Sequence, residues 1–168
     1  MATDVQQQVN NKINECLKRG RQLFKAKVIL DHIIPSDSFT KSSGSAGWNK
    51  QLGWYIKLSK KDLTHHLDYM LNEIIPHEVA HVICMWLHVN HMPMGDDGHG
   101  EAWTKVAKAL GSSGEAKPLA PQFKHSYKTS KGNMVKVNDE QHEDMQKRYK
   151  RYTAKDGGVI TAAGYQGK

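Results

Sequence analysis

The stretch IIPHEVAHVICMW, residues 74–86, places His77, Glu78 and His81 within five positions. On a helix four residues advance roughly 400°, so the imidazoles of His77 and His81 point the same way, about 6 Å apart along the axis. Two imidazoles so placed can share one tetrahedral ion, and Glu78 beside them can serve as general base. The same residues also fit an amphipathic helix that carries two stray histidines. A third ligand decides between the two.

Upstream, Leu63, Leu67, Met70, Leu71, Ile74 and Ile75 keep helical spacing from Lys60 onward. Pro76 interrupts them. It removes one hydrogen bond and clashes with the carbonyl four residues back, so the helix kinks or restarts there. The second part is predicted to run to about Asn90, burying Val79, Val82, Ile83 and Trp86. HMPMGDDG, residues 91–98, is a loop rich in Gly, Pro and Asp. A further helix is predicted from His99 or Gly100 to Leu110, with Ala102, Trp103, Val106 and Leu110 inward and Gly111 as its stop.

Several residues compete for the third ligand. His88 shares the helical face but lies about 10 Å beyond His81 along the axis. Zn–N bonds are about 2.0–2.1 Å long, so His88 is out of reach. His91 only opens the loop. His99 fits better: the stretch from Asn90 can span up to about 30 Å and fold back on itself, with Gly95, Gly98 and Gly100 easing the turns. Glu101 is the rival, giving a two-His, one-Glu site. Leu87 and Cys84 stand where the compact metzincin pattern needs His and Gly, which excludes that class.

Elsewhere, residues 3–24 read as a helix with Val9, Ile13, Cys16 and Leu17 near one face. Lys25–Ile34 is strand-like, ending before Pro35. AGWNKQLGWYIKLS, residues 46–59, reads as a hairpin whose second arm alternates Ile56 and Leu58 with polar neighbours. After Pro121 the chain is less regular: MVKV, an acidic stretch NDEQHED, then KRYKRYTAK and a Gly-rich end.

The chain has 168 residues, 38% of them hydrophobic, which suits one domain with a small appendage. No apolar run approaches the roughly 18–20 residues that cross a bilayer, so no membrane partner is expected. The N-terminus lacks a basic start followed by an apolar stretch, and the two cysteines, Cys16 and Cys84, form no disulfide framework. Both point to a cytoplasmic or nucleoid-associated protein that is not secreted. Charge is unevenly spread. Residues 1–116 carry 13 Lys and Arg against 12 Asp and Glu, whereas residues 117–168 carry 11 against 5. A polyanion is the natural partner for the second segment.

Three blocks together resemble the SprT-like zinc metallopeptidases, the family of Spartan-type DNA–protein crosslink proteases. SGSAGWNKQLGWYIKLSKKDL, residues 43–63, resembles the family's small-residue hairpin ending in an I-x-L strand. IIPHEVAHVICMW resembles its active helix, including the proline before the first His. GHGEAWTKVAKALG, residues 98–111, resembles its third-ligand block. The resemblance covers about residues 40–111. It implies an α+β fold: a small, minigluzincin-like zincin domain over residues 1–116, with a short mixed or antiparallel sheet packed on the HExxH helix. It also implies one zinc ion on His77, His81 and His99, with Glu78 as catalytic base. A sheet edge would pair with an extended protein substrate, and Tyr55–Ser59 is the candidate edge.

Many bacterial members end in a zinc ribbon. Here residues 117–168 form a basic segment in which FKHSYKTSKGNMVKV and KRYKRYTAKDGGVI resemble the two ribbon arms without any cysteine. Thr129 and Asp156–Gly157 fall near where cysteines are expected. Within KRYKRY, the cations Lys147, Arg148, Lys150 and Arg151 can contact phosphates, and Tyr149 and Tyr152 can stack on bases. The function implied is a zinc-dependent endopeptidase acting on proteins on or crosslinked to DNA. The alternatives are a generic cytosolic metallopeptidase without DNA dependence and a non-catalytic, metal-stabilised DNA-binding module. Beyond the metal, Tyr127, His88 and His91 are candidates for supporting the oxyanion.

Overall fold

The computed structural model describes residues 3–40, 42–93, 95, 98–118, 125–155 and 157–167. The architecture is α+β, in two compact units, Met1–Pro118 and Leu119–Lys168. Met94, Asp96 and Asp97 of the predicted loop, Phe123 and Lys124 of the first ribbon-like arm, and Asp156 lie outside the described residues.

In the first unit, helix α1 (Thr3–Phe24) buries Val9, Ile13 and Cys16 along one face. The next segment departs from the predicted strand. Residues 25–31 are irregular, although Ala26 and Val28 are buried, and strand β1 runs from His32 to Ser36. Asp31 sets its start: its backbone N–H donates to Trp54 O, and its carboxylate accepts from Trp54 N. Pro35 lies inside β1, which is tolerated because β1 is an edge strand and needs no N–H on its outer side.

The predicted hairpin is present as β2 (Gly44–Asn49) and β3 (Gly53–Ser59). The Asn49 side chain closes its turn by accepting from Gln51 N and Leu52 N, and Gly53 takes φ +63°. The sheet order is β1–β3–β2, with β1 parallel and β2 antiparallel to β3. This corrects the expected edge. Tyr55–Ser59 is the central strand, because Ile56 and Leu58 are fully buried and need cover on both sides; the edge beside the histidine helix is β2.

Ser59 caps helix α2 (Lys60–His65), its Oγ accepting from Asp62 N. After a break at His66, a short α3 (Leu67–Tyr69) runs through a π turn (Met70–Ile74) into α4 (Ile75–Val89). The α-helix thus restarts with Pro76 in its first turn, as expected, but the segment before it is a π turn and not a break. The Ile75 N–H donates five residues back, to Met70 O, and the widened turn relieves the clash of the proline ring with the preceding turn. Helix α5 (Glu101–Leu110) buries Trp103, Val106, Ala107 and Leu110 and stops at Gly111, φ +104°. Cys16 and Cys84 are both buried, and neither forms a disulfide.

The second unit holds strands β4 (His125–Lys128) and β5 (Met134–Val137), helix α6 (Asp139–Arg148), strands β6 (Tyr152–Thr153) and β7 (Val159–Ile160), a 3-10 turn (Ala162–Gly164) and β8 (Tyr165–Gly167). One sheet has the order β5–β4–β8, and β6 pairs with β7. The two ribbon-like arms are thus hairpins. In place of a metal, Tyr127, Val137, Met145 and Ile160 form a small core, and the rings of His125 and His142 stack 3.7 Å apart. Helix α6, unforeseen in the acidic stretch, starts with a capping box between Asn138 and Gln141. Among the described residues, no helix is long and apolar enough to cross a membrane.

Candidate metal centre

Helix α4 packs its apolar residues Val79, Val82 and Ile83 into the core of the first unit. The same helix carries His77 and Glu78, both nearly fully buried, and the half-buried His81. The chain then returns. His91 adopts φ +54°, Met92 N donates to Leu87 O, and Gly95 lies against the helix backbone. A Cβ at position 95 would sit 2.2 Å from His88 N, so only glycine permits this approach. The fold-back brings His99, just before α5, to the two helix histidines.

The three imidazoles converge. His99 Nε2 lies 3.0 Å from His81 Nε2 and 3.2 Å from His77 Nε2. A tetrahedral ion with bonds of about 2.0–2.1 Å separates its nitrogen ligands by about 3.3 Å. Among the described residues these three histidines form a group able to hold a metal ion, and Glu101, His88 and His91 are not part of it. The fully buried Trp103 lies under all three rings, 4.6 Å from His77 and His99 and 5.1 Å from His81.

The protonation states suit a cation. Burial, and then the neighbouring His99, push His77 down to about 4, so its ring is neutral near pH 7 with a lone pair to offer. His77 Nδ1 is buried and makes no hydrogen bond among the described residues; packing on Trp103 holds the ring where a carbonyl or carboxylate commonly would. Burial pushes the Glu78 carboxyl up to about 8. A dication among the imidazoles acts in the opposite direction and favours the carboxylate.

Glu78 abuts the edge strand. A Cβ on Gly44 would lie 2.7 Å from Glu78 Oε1 and 2.9 Å from Ile74 Cγ2. Gly44 therefore sets how closely β2 approaches α4, a role visible in the sequence only as one small residue among several in SGSAG. Glu73, in the π turn, accepts from Ser112 Oγ at 2.6 Å, Ser113 N at 2.9 Å and Ser113 Oγ at 2.8 Å. It ties the segment leading into α4 to the end of α5, so both sources of histidine are fixed together. Sequence reading singled out neither residue.

The remaining candidates lie in the second unit. Tyr127 is fully buried, its hydroxyl bonded to His142 Nδ1 at 2.8 Å and accepting from Gln146 at 3.0 Å. That engagement removes it as oxyanion support. In KRYKRY, Lys147 pairs with Glu143 at 2.6 Å, while Arg148 and Lys150 pair with Asp144 at 2.9 and 2.7 Å. Tyr152 also donates to Asp144, whose carboxyl is held down by Lys150 and then by Tyr152. Tyr149 ends α6 with φ +53° and is 83% exposed. Arg151 has no acidic partner among the described residues.

A model of the SprT-like family matches residues 6–130. Protein SprT of Shewanella oneidensis is 23% identical over 125 residues, covering 74% of this chain and 70% of that protein. Protein SprT of Vibrio atlanticus is 31% identical over 110 residues, covering 64% and 60%. Protein SprT of Actinobacillus succinogenes is 27% identical over 99 residues, covering 59% and 53%. No solved structure matches the chain.

Proposed function

The chain belongs to the SprT-like family, and from that premise we propose that it is a zinc-dependent endopeptidase. The observation that carries this reading is the convergence of three imidazole nitrogens from two segments beside a buried carboxyl. His77, His81 and His99 would hold the ion. Zinc, when bound, supplies a Lewis acid that polarises a peptide carbonyl and makes water a nucleophile near neutral pH. Glu78 takes the proton from the attacking water and passes it to the leaving amine nitrogen. Trp103 closes the site from below and excludes water there.

β2 is an edge strand, and its inner face meets Glu78 at Gly44. An extended polypeptide adding to this edge would present a peptide bond to the site through main-chain hydrogen bonds, with little demand on sequence. The substrates we propose are proteins on or crosslinked to DNA. Support comes from the excess of basic residues after position 116 and from the exposed ring of Tyr149. A second reading, a peptidase without DNA dependence, is favoured by the internal pairing of Lys147, Arg148 and Lys150 with acids of α6.

The test combines zinc stoichiometry with cleavage of an unstructured protein, with and without DNA. Wild type should bind one zinc and cleave, and Glu78→Gln should bind zinc and not cleave. Equal cleavage by both would refute the mechanism. Zinc binding without cleavage by wild type would favour a non-catalytic module.

A further inference from the structure

We propose that the aromatic recess at the far end of β2 takes a large apolar side chain of the substrate, upstream of the bond cleaved; this rests on the peptidase reading above. Gly44, Ala46 and Trp48 alternate onto one face of β2 and pair with Leu58, Ile56 and Trp54 of β3. This face covers α4. At the Gly44 end it closes on Glu78 and Ile74. At the tryptophan end it opens into a cavity of about 510 Å³ lined by Trp48, Trp54, Met85, Trp86 and Val89, with His88 and Asn90 as its polar members. Trp48 is 55% exposed and Val89 59% exposed, and both line this cavity. Adjacent exposed apolar side chains of this size mark a binding surface more often than chance exposure.

The occupant follows from what the recess is joined to. Its lining is mainly aromatic and aliphatic and holds no carboxylate, ammonium or guanidinium; His88 and Asn90 are its polar members. The strand that forms one wall is the sheet edge, and that edge leads directly to Glu78. From Gly44 to Trp48 is four residues, about 13 Å of extended chain. A polypeptide added to the β2 edge therefore reaches both places at once. Antiparallel addition is the more stable arrangement per residue. It lays the substrate's N-terminal side toward Trp48 and its C-terminal side toward Gly44. The recess then receives a side chain about three or four residues before the cleaved bond. Main-chain pairing alone gives little selectivity; the recess adds a preference for Phe, Trp, Leu or Met at that place.

Two measurements test this. The zinc-loaded Glu78→Gln protein is titrated, by tryptophan fluorescence, with unstructured peptides in which one Phe is walked through an Ala/Ser background. Wild type is given the same peptides and its cut sites are mapped by mass spectrometry. The expected result is binding about tenfold tighter for the best-placed Phe peptide than for the all-Ala/Ser one. The Phe should fall upstream of the mapped cut. Trp48→Ser should erase the difference and Trp48→Phe should keep most of it, with unchanged circular dichroism in both. Equal binding of all peptides overturns the recess whether or not wild type cleaves. A preference confined to the downstream side overturns the assigned polarity. A Trp48-dependent binding difference with no cleavage by wild type sinks the peptidase reading, leaving only a peptide groove. Quenching by a single-stranded oligonucleotide, but by no peptide, makes the occupant a nucleobase and overturns the proposal.

Discussion

Gly44 leaves no room for a methyl group beside Glu78: a Cβ at position 44 would stand 2.7 Å from Glu78 Oε1 and 2.8 Å from Glu78 Cγ. Gly44→Ala should therefore push either Glu78 or the whole of β2 away. A displacement near 1 Å at a catalytic group costs about a hundredfold in rate. The expected outcome is loss of kcat on that order with one zinc still bound per chain. Wild-type turnover in Gly44→Ala would show that Glu78 has slack.

Glu78 also gives the metal-free protein a pH signature. Its carboxyl sits at about 8 when folded against an ordinary value of 4.5. Between these values the folded chain keeps a proton that the unfolded chain has lost, so this group's contribution is complete below pH 4.5 and fades as pH rises through 8. His77, held at about 4 instead of 6.5, works the other way between those two values. Both proteins share His77, so the comparison of wild type with Glu78→Gln isolates the carboxyl. Chemical denaturation of the chelated proteins should show similar stability at pH 5 and a variant more stable by a few kcal/mol at pH 8. Parallel curves would mean that the carboxyl is solvated.

If zinc occupies the three-histidine site as proposed, its removal should lower the melting temperature, because the site exists only where the fold brings His99 to α4. In His99→Ala the two helix histidines retain weak affinity, and chelator should then shift the melting point little. A wild-type melting point indifferent to chelator would argue against a site joining the two segments.

Cys16 is 1% exposed, and burial pushes its thiol up to about 11. Cys84 is also fully buried. Both sulfurs are shielded from a reagent in the folded chain. A thiol reagent should titrate both groups within minutes in denaturant and neither in the native protein.

If the second unit contacts DNA, its cations should contribute unequally. Arg148 and Lys150 already face Asp144, whereas Arg151 has no acidic partner among the described residues. Arg151→Ala should reduce the salt slope of binding by about one, and Arg148→Ala by less. Equal losses would mean that the ion pairs open on binding.

The sequence made the site legible because each of its parts has a chemical reason to be where it is. Helical spacing fixed the relation of His77 to His81, and glycines around Gly95 marked the fold-back to His99. Relations between strands were harder. Alternation identifies β3 as half-buried, but only the parallel pairing with the distant β1 makes it central and leaves β2 at the edge. The π turn escaped because Pro76 signals only that the α-helix kinks or restarts; the widened turn that precedes the restart has no local signature. Helix α6 was legible in principle from Asn138 and Gln141, but its interior is so polar that periodicity gives no signal. Nothing local could reveal Gly44, since its importance lies in what α4 places opposite it.

Pro35 makes the three-stranded sheet one-sided. The outer rim of β1 carries a residue that has no N–H to give, so a further strand cannot register there without losing a bond. Any strand added to this sheet is thereby directed to the opposite rim, the side of the histidine helix. The same asymmetry hinders two copies from stacking rim to rim into a continuous sheet; if the protein engages exposed polypeptide as proposed, it would thereby avoid capturing itself.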